Sequence, residues 1–149
     1  MAKEKFVPID SSDVENLRNA NNKIREAIIY VSKILEENGI KGEYYGPRDR
    51  VCKTMSRREI EYSTFRIDQG VFDPEAYVIE IINFMSPMYH FDLRLLKLPN
   101  REAIEKFIHT DPVYEKALSE LKEKRYQQYL ELKKEFERKP KKQPKEKKQ

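Results

Sequence analysis

The chain of 149 residues has one cysteine, two histidines and four glycines, and each scarcity removes a class of chemistry. A lone Cys52 forms no internal disulfide, so the fold must hold without covalent staples and a reducing compartment is its natural setting. The thiol reads as a small, half-buried packing residue, because a catalytic cysteine wants a histidine and no spacing brings His90 or His109 beside it. Gly39, Gly42, Gly46 and Gly70 fall outside any phosphate-cradling pattern, and neither a Cys/His metal spacing nor a nucleophile elbow occurs. The expectation is a protein with no catalytic residues, no metal and no cofactor.

Long apolar runs are missing as well. No apolar stretch of about 18 residues occurs, and Met1-Ala2-Lys3-Glu4-Lys5 leads into none long enough for a signal peptide. This reads as an intracellular protein, cytoplasmic or nuclear, with no membrane partner.

Charge is plentiful but unevenly placed. Residues 138–149 hold Arg138, Lys139, Lys141, Lys142, Lys145, Lys147 and Lys148 against Glu146, a net +6, which leaves −2 for the other 137 residues out of an overall +4. A slightly acidic body therefore carries a basic arm. With Pro140 and Pro144 among the lysines, residues 139–149 read as a disordered tail suited to phosphate contact, and Lys139-Pro140-Lys141-Lys142 also fits an import signal. Arg48, Arg50, Lys53, Arg57 and Arg58 form a second cluster beside Tyr44 and Tyr45. Here Arg57 and Arg58 are candidate phosphate contacts, and the plainer reading is an exposed connection paired with nearby carboxylates.

The stretch that organises the chain is Ser12 to Asn38. Val14, Leu17, Asn21, Ile24, Ile28, Val31 and Leu35 recur at alternating threes and fours, the stripe of an amphipathic helix. Ser12-Asp13-Val14-Glu15 fits a capping box and Gly39 stands where a left-handed C-cap is wanted. Asn21, polar at a seam position, is a candidate interface residue that would select register in a homodimer. The intramolecular alternative uses the same face for the domain's own core.

Further elements follow from punctuation and period. Glu59 to Ile67 reads as a strand bulged near Ser63-Thr64; Asp73-Pro74-Glu75 predicts a helix from Pro74 to about Met85; Met88 to Leu98 alternates as a strand. On that strand His90, Asp92 and Arg94 form a polar row, expected to be solvated. Asn100 caps a helix over Arg101 to His109, and Asp111-Pro112 starts one that runs to about Lys139. In its second half Tyr126 and Tyr129 stand among basic residues. They are candidates for a protein interface, and a nucleic-acid-binding face competes with that reading.

These elements make an α+β fold: a small antiparallel sheet packed by the N-terminal helix and by the one expected from Pro74. The expected organisation is a compact domain over 1–121, a projecting helix over 122–138 and the tail over 139–149. The expected partners are nucleic acid, DNA or RNA, through the C-terminal arm and protein subunits of a larger complex, with homodimerisation as the alternative use of the heptad helix.

Overall fold

The computed structural model describes residues 5–46, 50–67, 78–83 and 88–138. The first helix, α1 (Ser11–Glu37), is anchored at both ends by local chemistry. Asp10 accepts from the Asp13 amide at 3.0 Å and Asp13 accepts from the Asp10 amide at 2.9 Å, so the capping box lies two residues ahead of the expected Ser12 box. A carboxylate accepts from an amide more strongly than a serine hydroxyl, and it also meets the positive end of the helix dipole. At the other end Asn38 closes the last turn, and Gly39 takes φ +98°, which costs a side-chain-bearing residue strain.

The heptad stripe is divided between two environments. Ile28, Val31 and Leu35 are buried in the core, whereas Val14 is 46% and Leu17 64% exposed. The domain thus uses the C-terminal half of the seam for itself.

After α1 come β1 (Glu43–Tyr45), β2 (Val51–Lys53), the single-turn α2 (Arg57–Ile60), β3 (Thr64–Ile67), β4 (Val78–Ile82), β5 (Tyr89–Asp92) and the single-turn α3 (Leu93–Leu96). Two longer helices, α4 (Arg101–Thr110) and α5 (Pro112–Arg138), complete the order. The architecture is α+β, and the sheet runs β1-β2-β5-β4-β3.

That sheet is mixed rather than antiparallel. β1 pairs β2, β3 pairs β4 and β4 pairs β5 in opposite directions, but β2 and β5 run parallel through Cys52↔His90. The chain passes from β2, second from one edge, to β3 at the far edge without reversing direction. Two antiparallel returns then bring β5 back beside β2 pointing the same way.

Three local expectations are corrected. The helix expected from Pro74 to Met85 is a strand over Val78–Ile82, where four β-branched residues in five favour the pleated, buried centre of a sheet; residues 68–77 and 84–87 lie outside the described residues. Glu59 to Ile67 is not one strand, because Ser56 and Glu59 form a capping box that starts α2 and leaves only Thr64–Ile67 extended. The strand expected to Leu98 stops at Asp92, whose carboxylate accepts from the Arg94 amide at 2.9 Å and turns the chain into α3.

One hydrophobic cluster joins both layers. Ile28, Ile34 and Leu35 of α1 meet Ile81 and Phe91 of the sheet, Leu95 of α3, Ile104 and Ile108 of α4, and Tyr114 of α5. Each fully buried side chain of this kind contributes about 1.5–3 kcal/mol relative to exposure. Polar groups fix the joints: buried Ser32 Oγ accepts from the Met55 amide at 2.9 Å, and Arg25 donates to the carbonyls of Ile60 and Ser63.

Candidate functional site

A chain of buried and half-buried polar contacts is centred on Asp92, which has no solvent exposure. Its carboxylate accepts from Tyr114 Oη at 2.7 Å and from Arg94 Nη2 at 3.0 Å and Nε at 3.2 Å. Tyr114 Oη lies 3.1 Å from Tyr44 Oη, and Arg94 Nη1 reaches Asp111 Oδ1 at 3.1 Å. Asp111 in turn accepts from the Val113 amide and caps the start of α5. The expected solvated row is therefore corrected: α5 lays Tyr114 over Asp92, so the carboxylate serves the interior.

Electrostatics follow from that burial. Burial would lower the Arg94 pKa, but the hydrogen bond and charge of Asp92 prevail and raise it above the ordinary guanidinium value. Desolvation raises Tyr44 and Tyr114 well above the usual phenol range. Desolvation, then the nearby Asp92 charge, pushes the Cys52 thiol up to about 12, and Cys52 is fully buried rather than half-buried. A neutral, enclosed thiol is a poor nucleophile. No group of three His, Cys, Asp or Glu able to hold a metal occurs among the described residues. This network connects β1, β5, α3 and α5, and what it does chemically is fix where α5 leaves the body.

The residues singled out from sequence lie on separate elements. Arg57 of α2 makes a bidentate pair with Glu26 of α1 at 2.6 and 2.8 Å, which commits its fork to a carboxylate; Arg58 beside it is exposed. Asn21 is half-buried on α1 and lines a shallow hollow with Val14, Leu17 and Arg18. Of the second-cluster tyrosines, Tyr44 is buried and Tyr45 exposed. Arg138 is the exposed last residue of α5, and Lys139, Lys141, Lys142, Lys145, Lys147 and Lys148 lie outside the described residues.

Tyr126 and Tyr129 are brought together. The two residues are 54% and 56% exposed, with ring centroids 6.5 Å apart and planes inclined by 29°. Past Leu121 no side chain of α5 is buried, and only Leu130 is half-buried. Lys122, Arg125 and Lys133 on this part of the helix are in no ion pair among the described residues. The Asp92 network was missed in the sequence because its members span 22 and 70 positions; its one local signal is an aspartate placed to cap a turn two residues before an arginine.

No helix among the described residues is long and apolar enough to cross a membrane. No protein-family model, no curated protein and no solved structure matches the chain.

Proposed function

We propose that this chain is a non-catalytic accessory subunit of a nucleic-acid-containing assembly, whose folded body docks on protein and whose basic C-terminal arm contacts phosphate. The observation that supports it is where the positive charge is concentrated. In the body Lys53, Arg57, Arg66, Arg94 and Arg101 each meet a carboxylate, while Lys23, Lys33, Lys41, Arg58, Lys97, Lys106 and Lys116 meet none among the described residues and are spread over α1, α2, α4, the start of α5 and the connections. Along the exposed half of α5 Lys122, Arg125 and Lys133 meet none among the described residues, and the sequence beyond adds the +6 arm. Unmatched cations on a narrow element release counterions from a polyanion without a shaped groove, so affinity gained this way falls steeply with salt.

The test is fluorescence anisotropy of labelled single- and double-stranded DNA and RNA, titrated at two salt concentrations with the full chain and with a form ending at residue 137. Salt-sensitive binding that weakens on removing residues 138–149 is the expected result. Binding unchanged by that removal overturns the arm.

A second reading, a protein-interaction module without a nucleic-acid role, is favoured by the exposure of Val14 and Leu17 beside Asn21. Light scattering separates its homodimer form. A strict monomer at high concentration removes it, and a larger mass on Asn21→Leu supports it.

A further inference from the structure

The exposed half of α5 has a sorted surface. At about 100° per residue, Lys122, Arg125, Tyr126, Tyr129 and Lys133 fall within an arc of about 100°. Glu120, Glu131 and Glu135 fall near the opposite side, Glu123 lies outside the arc, and Glu137 stands just beyond its edge. Sequence charge alone does not show this, because lysines and glutamates alternate along the segment with no visible block. A helix held together by ion pairs places opposite charges three or four apart on one face. Here no acid falls within the arc that holds the two tyrosines and three cations, while Lys124, Lys134 and Arg138 lie on the far side with the glutamates.

From this arrangement we propose that the face formed by Lys122, Arg125, Tyr126, Tyr129 and Lys133 is a stacking platform for single-stranded nucleic acid. The proposal rests on the reading of the chain as nucleic-acid-associated and names a site and a strandedness that the arm alone does not supply. The rings form an offset pair, 6.5 Å apart within the range of about 4.5–7 Å for aromatic pairs, and both residues are more than half exposed. Each is left a face for a base. Duplex DNA hides its base faces in the stack and offers such a helix only phosphate, whereas an unpaired strand offers phosphate to the cations and base faces to the rings. The platform spans about 17 Å from Lys122 to Lys133 at about 1.5 Å per residue, a length along which one strand can be tracked.

The experiment compares the full chain with Tyr126→Leu/Tyr129→Leu and Tyr126→Phe/Tyr129→Phe. The probes are labelled oligothymidylate and a duplex of equal length, read by anisotropy at low salt. Leucine keeps the helix and the apolar volume while removing the ring, and both sites are exposed, so folding is retained and is checked by circular dichroism. The expected result is about a tenfold or greater loss for the single strand in the leucine variant, little change for the duplex, and retention in the phenylalanine variant. The chain has no tryptophan and nine tyrosines, so oligothymidylate should quench part of the intrinsic tyrosine emission in the parent, and the part due to Tyr126 and Tyr129 should be lost in the leucine variant. Equal affinities of parent and leucine variant for the single strand overturn the platform and leave the arm standing, as does a change in mass by light scattering with nucleic-acid affinity unaltered, which makes the face a protein-docking surface. Failure of the full chain to bind either probe overturns the platform and the nucleic-acid reading together.

Discussion

Tyr114 donates a 2.7 Å hydrogen bond to Asp92, and neither side chain has any solvent exposure. The contact joins α5 to the last residue of β5, and through Arg94 and Asp111 the same carboxylate is connected to the cap of α5. A buried carboxylate needs every donor it has. Tyr114→Phe keeps the ring and removes one donor, so it should destabilise by about 1–3 kcal/mol in urea unfolding. Asp92→Ala leaves Arg94 without its main partner and should cost more, about 3–5 kcal/mol. A Tyr114→Phe variant of parental stability would mean that the hydroxyl contributes nothing to the network.

Cys52, Tyr44 and Tyr114 lie in this region, and all three hold their protons more tightly in the fold than in the open chain, because burial disfavours the anion. Below about pH 8.5 both states are protonated and stability does not depend on these groups. Above it the unfolded thiol, and from about pH 10 the unfolded phenols, lose protons that the folded state retains. The unfolded state then binds fewer protons, so unfolding free energy falls as pH rises, through the window that ends near the Cys52 value of about 12. Denaturation midpoints should drop steadily across that alkaline range, and Cys52→Ala should soften the first part of the drop. The same burial predicts that Ellman's reagent modifies Cys52 at the rate of unfolding, rising with urea; immediate reaction of the native protein would contradict it.

Gly46 ends the first strand of the β1–β2 hairpin against Cys52. A Cβ built there would overlap the Cys52 sulfur and stand 3.2 Å from the Arg50 carbonyl. Gly46→Ala should therefore destabilise by about 1–3 kcal/mol, the usual cost of overpacking. Adding Cys52→Ala removes the sulfur and should recover part of that loss. A double-mutant cycle showing strict additivity would place the strain elsewhere.

What could be read from the sequence divides along physical lines. The long helices were legible because each carries its own period and caps, as in the stripe from Val14 to Leu35 and the Asp111-Pro112 start. The centre of the sheet was not. Val78–Ile82 is a short apolar run whose period suits a buried strand or a buried helix, and Asp73-Pro74 ahead of it favoured the wrong choice. The run from Tyr89 is extended for four residues but does not alternate in burial, since Phe91 and Asp92 are both buried, and then Asp92 uses its carboxylate as a cap. The burial of Asp92 follows from Tyr114, 22 positions away, and no local pattern encodes that pairing. On α5, exposed tyrosines were visible in sequence, but the absence of acids from the face they share with Lys122, Arg125 and Lys133 emerges only when the segment is wound onto a helix.

The same winding sets the dynamics of α5. Its first turns are held by Tyr114 and Ala117, both buried, whereas residues beyond Leu121 have no fully buried side chain and depend on helix propensity and local contacts such as the Gln127 amide donating to Glu123. An isolated helix shorter than about 12–15 residues is marginal in water, and a free segment of this length is only slightly better. Native-state hydrogen exchange should therefore show protection near the global value around Tyr114–Leu121 that falls off toward Arg138. Gln128→Pro should lower far-UV helical signal while leaving the urea midpoint of the body near the parent value, because the lost turns share little packing with the core. Uniform protection along all of α5 would mean that its exposed face is covered in the free protein. Protection that rises past Leu121 only when oligothymidylate is added would locate the bound strand on that face, since ordering of those turns is what a ligand lying across Tyr126 and Tyr129 must produce.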